Sequence, residues 1–563
     1  MNKNKFVYAV LSVVLVLGPV ACKDQLDVGN PNAPTVQANV NTEAGLLQYA
    51  TGVTYVNGFK NGNDWLGNSY FSLPWGYSEI MADNVGASAS NNQVTTMGQP
   101  DYILLDNNQK VSNNSPQVSI IRSYNTRAAT GAGNNALYYQ WLTMYALNNA
   151  QNSILALVDK IPFSGDAASK ANTVKAWAYF WKGYAYSAIG SMYVAGLIAD
   201  DFDAASNVTK VSHDYVPSAA VIARSDYYYD QAATALAAVT STSDYSAVLG
   251  QLIPVYMQTG KGGVLSTAEW TRNINTMKAR NILMNHLAPF VNGNPGATIS
   301  GSNMTPMTPA DWTNVLTLTT NGVKATDIIF TARSSATNSV FSATTGTVAS
   351  LTANTPSSST FKISERFVRA YAPGDARSAN NFTASLGYVG DYTYTTGWTL
   401  VTGGNGAANV QVLANKTIGA YEAIVAGSYE ENALMMAEAN IRGAGTINAG
   451  VALIDNVRTY LGAGLAASPT GLTQAAALKL LVNERRVSLV FRGLSFYDAR
   501  RWGWTYDISK GGGSYGNYVK YGGVVNTNVT ISYNLMDFWD VPADEFQLNP
   551  PSASSVPIVN PNF

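Results

Sequence analysis

The run Asn483-Glu484-Arg485-Arg486-Val487-Ser488-Leu489-Val490-Phe491-Arg492-Gly493-Leu494-Ser495-Phe496-Tyr497-Asp498-Ala499-Arg500-Arg501-Trp502 decides how the rest of the chain is read. Taken as a helix, it puts Leu480, Val487, Phe491 and Leu494 on one apolar stripe, with Glu484 and Asp498 on that same stripe. Carboxylates directed into an apolar interior need partners, and Arg485, Arg486, Arg492, Arg500 and Arg501 stand ready to supply them. A catalytic acid pair is the competing reading. At a rise of ~1.5 Å per residue a straight helix sets the two acids roughly 21 Å apart, against about 5 to 9.5 Å for the carboxyls of a glycosidase. Only a kink at Gly493 would shorten the gap.

The pattern N-E-R-R-x-x-L-x-F-x-G-x-x-x-x-D-x-R-R-W over these residues resembles the C-terminal signature of the SusD/RagB family, surface lipoproteins that capture nutrients for a TonB-dependent outer-membrane transporter. The tail agrees with it. Pro542-Ala543-Asp544-Glu545-Phe546-Gln547-Leu548-Asn549-Pro550 resembles the family's closing P-x-x-E-x-x-x-N-P, and Asn560-Pro561-Asn562-Phe563 its terminal N-P-G-aromatic, with Asn562 in place of glycine. Asn is the next-best residue for a positive-φ turn. The resemblance implies a single SusD-like domain, although 563 residues would by length alone allow several.

Composition narrows the partners. Thirty-four basic residues stand against 35 acidic ones, and only 12% of the chain is charged. So weak a net field argues against nucleic acid and anionic membrane surfaces. The 33 Tyr and 11 Trp, with loops of Asn, Ser, Thr and Gly, suit neutral hydroxyl-rich ligands such as sugars.

Cys22 is the only cysteine, so an intramolecular disulfide is excluded. Lys3 and Lys5 precede an apolar run from Phe6 to Leu17, and Gly18-Pro19-Val20-Ala21 presents small residues before the thiol. Residues 1–21 therefore read as a lipoprotein signal peptide with Cys22 as the lipid attachment; a plain secretory signal with a chance cysteine is the alternative. Lys23-Asp24 resembles the short tag that sends the family's lipoproteins to the cell surface, and Leu26 to Asn32 the segment that follows the anchor.

Periodicity predicts a mainly α fold. Helices are expected at Tyr138–Ile161, Val174–Ala188, Ser225–Val239, Thr267–His286, Asn448–Leu461 and Thr473–Trp502, and a capping box at Ser428-Tyr429-Glu430-Glu431 opens another through Ile441. The first two, joined by a short turn, resemble a tetratricopeptide-like pair. The expected layout of residues 22–563 is a helical scaffold over about 138–290 and 422–504, a loop-rich and short-strand insertion over about 292–421, and a tail over 505–563. In the resembling family that insertion contributes to the ligand face.

Catalytic chemistry is sparse. His213 and His286 are too few for a metal centre and no cofactor is expected. Gly512-Gly513-Ser514-Tyr515-Gly516 matches G-x-S-x-G, but it lacks a preceding apolar strand, and both histidines come before Ser514. Ligand-binding candidates are aromatics expected on loops: Trp65, Tyr70, Trp75 and Tyr77 early, and Tyr388, Tyr392, Tyr394 and Trp398 in the insertion. Asn84, Asn91, Asn92 and Gln93 would add hydrogen-bonding groups. Any of these rings could instead cover the helical core; Trp177, Trp181, Trp502 and Trp504 are taken as core. The expected function is a non-enzymatic, lipid-anchored outer-membrane protein at the cell surface that binds oligosaccharide or polysaccharide and delivers it to a SusC-like TonB-dependent transporter. A peptide or other non-glycan nutrient on the same fold is one alternative, and a surface glycosidase is another.

Overall fold

The computed structural model describes residues 40–56, 74–88, 93–203, 208–333, 361–392 and 394–563. Cys22 and the signal segment, Trp65, Tyr70, Asn91 and Asn92 lie outside the described residues.

The helices that organise the chain are α1 (Glu43–Thr51), α2 (Pro74–Met81), α3 (Tyr138–Val158), α4 (Ala167–Met192), α5 (Ser218–Ala237), α6 (Thr242–Leu252), α7 (Thr267–Met284), α8 (Pro309–Thr320), α9 (Glu365–Val368), α10 (Tyr429–Ala439), α11 (Ile447–Tyr460), α12 (Gln474–Ser488) and α13 (Ser495–Arg501). The fold is mainly α, as periodicity predicts, and successive helices pack as neighbours: α3 on α4, α4 on α5, α10 on α11, α11 on α12. Close approach of α4 and α5 depends on Gly183, where a Cβ would meet the Tyr229 ring at 2.8 Å. Local chemistry sets the helix starts. Asp166 caps α4 at the Ser169 amide, and Ser266 with Glu269 forms a capping box on α7.

Of the apolar clusters in the helical body, two are the largest. Trp177, Phe180, Trp181, Trp270 and Phe330 pack edge-to-face or tilted at 5.0–6.4 Å between ring centroids. Leu434, Ile454, Val457, Leu478, Leu481 and Trp502 fill the second. Trp177, Trp181 and Trp502 are thus core residues, as expected; Trp504 is only half-buried.

The strands are short and antiparallel in the main: β1 (Tyr102–Leu104), β2 (Lys110–Ser112), β3 (Phe382–Gly390), β4 (Thr395–Leu400), β5 (Ser514–Tyr521) and β6 (Val524–Ser532). The tail is not irregular throughout, because β5 and β6 form a hairpin whose β6 edge pairs with β1, Ile531 opposite Ile103, to give the order β5-β6-β1-β2. The insertion is not without helix either. Thr308 and Asp311 form a capping box on α8, with Pro309 in its first turn.

Three expectations need correction. The segment 473–502 is two helices and not one: Phe491 at φ 61° and Gly493 at φ 69° reverse the chain between α12 and α13. A Cβ on Gly493 would sit 2.6 Å from the Trp75 indole, so close packing and the turn both require glycine. Ser428 caps α10 without its box partner, since the Glu431 carboxylate pairs with Arg280 at 2.6 Å. Trp75 and Tyr77 are on no loop. They are buried in α2, and Tyr77 packs edge-on to Trp539 at 6.2 Å.

Candidate functional site

Helix α12 carries the start of the signature and α13 its end, and the residues of α12 divide between two faces. Glu484 turns inward, where it accepts hydrogen bonds from Arg377 at 2.6 Å and Arg458 at 2.9 Å. Burial pushes its carboxyl up, but the bonds from Arg377 and its charge outweigh that and hold it below the usual range. Asp498 accepts from Arg485 at 2.9 Å and Arg501 at 2.8 Å, and Arg501 also grips Glu438 with both terminal nitrogens, at 2.8 and 2.6 Å. Buried Glu438 is driven down to about 2 because the charge of Arg501 overcomes desolvation. The acids are paired, as expected. Yet both arginines that bind Glu484 lie outside the signature.

The opposite face of α12 lines a cleft of about 380 Å³, within the ~300–1,000 Å³ usual for small-ligand sites. Lys479, Asn483 and Arg486, spaced at i, i+4 and i+7, form one wall. Ser514 to Tyr518 of β5 form a second wall, and Trp504 with Phe290 closes one side. The remaining wall is Arg366 of α9 with Arg369 and Ala370 beyond its end.

The polar frame of this cleft is rigidly held. Arg369 lays its guanidinium 3.8 Å over the Tyr518 ring, donates to Glu365 at 2.7 Å and reaches the Tyr388 hydroxyl at 3.3 Å. Tyr388 in turn sits 5.5 Å from Tyr518, ring to ring. Arg366 pairs with Asp83 through two nitrogens. Arg486 donates to Asn84 Oδ1 at 2.8 Å and to the carbonyls of Asp83 at 2.8 Å and Arg366 at 3.1 Å. Burial lowers its pKa against the pull of nearby acids.

A second cavity, of about 330 Å³, opens between Lys261, Tyr460, Glu430 and Arg492. Glu430 is buried there and lies at about 2, since the charges of Arg492 and Lys261 overcome its desolvation. These charged groups lining it are paired with one another, Glu430 with Lys261 and Arg492.

Of the residues expected to bind ligand, Tyr388, Tyr392, Tyr394 and Trp398 do share one element, the β3–β4 hairpin: Tyr388 and Trp398 lie on its strands and not on a loop, while Tyr392 and Tyr394 lie in the connection between them. Tyr392 packs toward Tyr521 at 6.1 Å and Tyr394 lies 5.8 Å from Lys362 Nζ. Among these four, Tyr388 touches the cleft walls, its hydroxyl accepting from Arg369 and its ring packing against Tyr518. Asn84 is buried and holds Glu79 and Arg486 together, and Gln93 is buried beneath Thr96, so neither stands free as expected. Sequence reasoning missed Lys479, Arg369, Tyr515 and Tyr518, and it treated Trp504 as core; the i, i+4, i+7 spacing on α12 was the available signal. Ser514 opens β5 and its hydroxyl is hydrogen-bonded with Asn517, so no nucleophile elbow forms. The rings of His213 and His286 hydrogen-bond to the carbonyls of Pro550 and Ile282.

No family model and no curated protein matches the sequence. Solved structures do match its architecture. A SusD superfamily protein from Bacteroides vulgatus superposes with a TM-score of 0.53 at 14% identity, covering 91% of this chain and 98% of its own. The chain has the SusD fold. A SusD homolog from Bacteroides thetaiotaomicron gives a TM-score of 0.51 at 13% identity over 92% of this chain and 97% of its own. A structure determined with xylogluco-oligosaccharide gives 0.50 at 14% identity over 91% and 99%. On this SusD fold, then, the described cleft lies between the signature helix α12 and the β5 strand of the tail.

Proposed function

We propose that the protein is a lipid-anchored, cell-surface glycan-binding member of the SusD/RagB group that delivers its ligand to a SusC-like TonB-dependent outer-membrane transporter and performs no chemistry on it. The observation that carries this reading is the cleft of about 380 Å³, walled by Trp504, Tyr515, Tyr518, Asn483 and Arg369, on a SusD-like scaffold. Rings beside amide and guanidinium donors are what a pyranose with its hydroxyls needs. One similar structure was determined with xylogluco-oligosaccharide, which supports a saccharide as cargo.

The non-enzymatic part rests on the fate of the acids. Glu484, Asp498 and Glu438 are each bonded to buried arginines, so none of these three is placed to take or give a proton in turnover. Transfer would be capture and release: an open cleft binds weakly, and closure against the transporter buries the ligand. The anchor rests on the Gly18 to Cys22 pattern.

Three measurements test this. Purification from membranes in mild detergent should bring down an outer-membrane transporter, and Cys22→Ser should release the protein from the membrane fraction. A glycan array set beside a peptide library should give hits on the glycans. Binding confined to peptides, or release of reducing ends from any glycan hit, overturns the reading.

A further inference from the structure

Charge is distributed unevenly around the cleft. The whole chain balances 34 basic residues against 35 acidic ones. The cleft wall nevertheless holds Arg366, Arg369, Lys479 and Arg486 and, among the described residues, no carboxylate. Two of these four cations are balanced from behind, Arg366 by Asp83 and Arg369 by Glu365. Lys479 is not, and Arg486 lies near Asp83 and Glu79 without bonding to either carboxylate.

Arg486 donates to the side-chain oxygen of Asn84 and to the carbonyls of Ala82, Asp83 and Arg366, all neutral acceptors. Lys479 is exposed on the same helical face and makes no hydrogen bond or ion pair among the described residues. Arg369, though paired through Nε, has a side chain 48% exposed and directs the rest of its guanidinium along the Tyr518 ring. A fixed charge behind and two reachable cations in front make a site for an anion. Asn483, one turn from Lys479, and the rings of Trp504 and Tyr515 border it with groups suited to a sugar.

We infer that the cleft takes a glycan bearing an anionic group, a carboxylate or a sulfate ester, which Lys479 and Arg369 hold in the field of Arg486. This inference rests on the glycan-binding reading above and names the class of glycan. It departs from the neutral ligand that overall composition suggests, because a sum over 563 residues hides four cations gathered around one cleft.

The test is calorimetric titration of the full-length protein with tetragalacturonate, its methyl ester, a neutral xylogluco-oligosaccharide, a sulfated carrageenan tetrasaccharide and an acidic hexapeptide. At least one of the two anionic sugars should bind about tenfold or more tightly than the methyl ester and the neutral sugar. Tetragalacturonate alone identifies a carboxylate, and carrageenan alone a sulfate ester. The preference should shrink in high salt and fall several-fold in Lys479→Gln, while Lys160→Gln, which removes an equal charge from an exposed turn after α3, leaves it intact. Neutral sugar bound as well as the anionic ones, or anionic binding unmoved by Lys479→Gln, overturns the inference and leaves the glycan reading standing. Binding of the peptide with no sugar bound overturns both.

Discussion

Glu484 and Arg485 point into the helical body, while Lys479, Asn483 and Arg486 of the same helix face the cleft, and the two faces treat charge in opposite ways. Inside, three carboxylates are met by guanidinium: Glu484 by Arg377 and Arg458, Asp498 by Arg485 and Arg501, Glu438 by Arg501. Outside, cations stand together with two carboxylates behind them and none in front. A charge closed off by partners serves the fold, because removing one partner strands the other in a low-dielectric interior. A charge left open is available to something that arrives from solution. The signature N-E-R-R thus alternates between these two roles within four residues.

The sharpest way to break the comparison is to delete an inner arginine. Arg501→Met removes the bidentate partner of Glu438 and one of the two partners of Asp498. The expected loss is about 3–5 kcal/mol of stability, read as a lowered urea midpoint. Adding Glu438→Leu should return part of it, since the stranded charge is then gone. A loss below about 1 kcal/mol would place this pair with surface ion pairs and dissolve the distinction.

Acid and neutral pH probe the inner face from two sides. Glu430 and Glu438 lie at about 2, below the ordinary 4.5, so the unfolded chain binds more protons there. Their contribution is complete above about pH 5 and is lost as pH falls from 4.5 toward 2, on the order of 3 kcal/mol for each. Glu79 runs the other way. Desolvation raises it to about 7, against bonds from Asn84 and Ser495, and its Oε1 is buried without a hydrogen-bond partner among the described residues. Its contribution is present below about pH 4.5 and fades as pH rises through 7. Glu79→Gln should therefore flatten the decline in stability between pH 5 and 7, measured by thermal melts across that range, without altering the acid limb. An acid limb that changes with it would show that the two sets of carboxyls are not separate.

Legibility followed the same division. Interior helices declared themselves through spacing and caps, and α3, α7 and α11 end within a few residues of where periodicity puts them. Helix α8 was hidden by its threonines, which usually disfavour helix. Thr313, Thr317, Thr319 and Thr320 stay helical by donating to the carbonyls of Pro309, Thr313, Val315 and Leu316. The reversal at Phe491 was not readable, since a bulky residue at positive φ is held there by packing that only the folded chain supplies. The cleft draws on Phe290, Arg369, Lys479, Trp504 and Tyr518, and no local pattern announces that such distant segments meet. What could be read was the stripe of Lys479, Asn483 and Arg486, and the inward acids of the same helix drew attention away from it.

The smallest expected effect isolates the outer face. Tyr515 lies half-buried on the cleft wall, its hydroxyl donating to the Gly512 carbonyl at 3.3 Å, and no ion pair depends on it. Tyr515→Ala should cost about 1 kcal/mol in binding of whichever glycan the array selects, a several-fold weaker affinity by titration, and shift the urea midpoint little. Trp398→Ala, on the hairpin but away from the cleft wall, should leave that affinity unchanged. If Trp398→Ala weakened binding and Tyr515→Ala did not, the hairpin would be the ligand face and the charges on α12 would lose their claim to a role beyond the fold. The reverse result makes Tyr515→Ala the counterpart of Arg501→Met, one altering binding and the other stability, at sites on either side of the same helix.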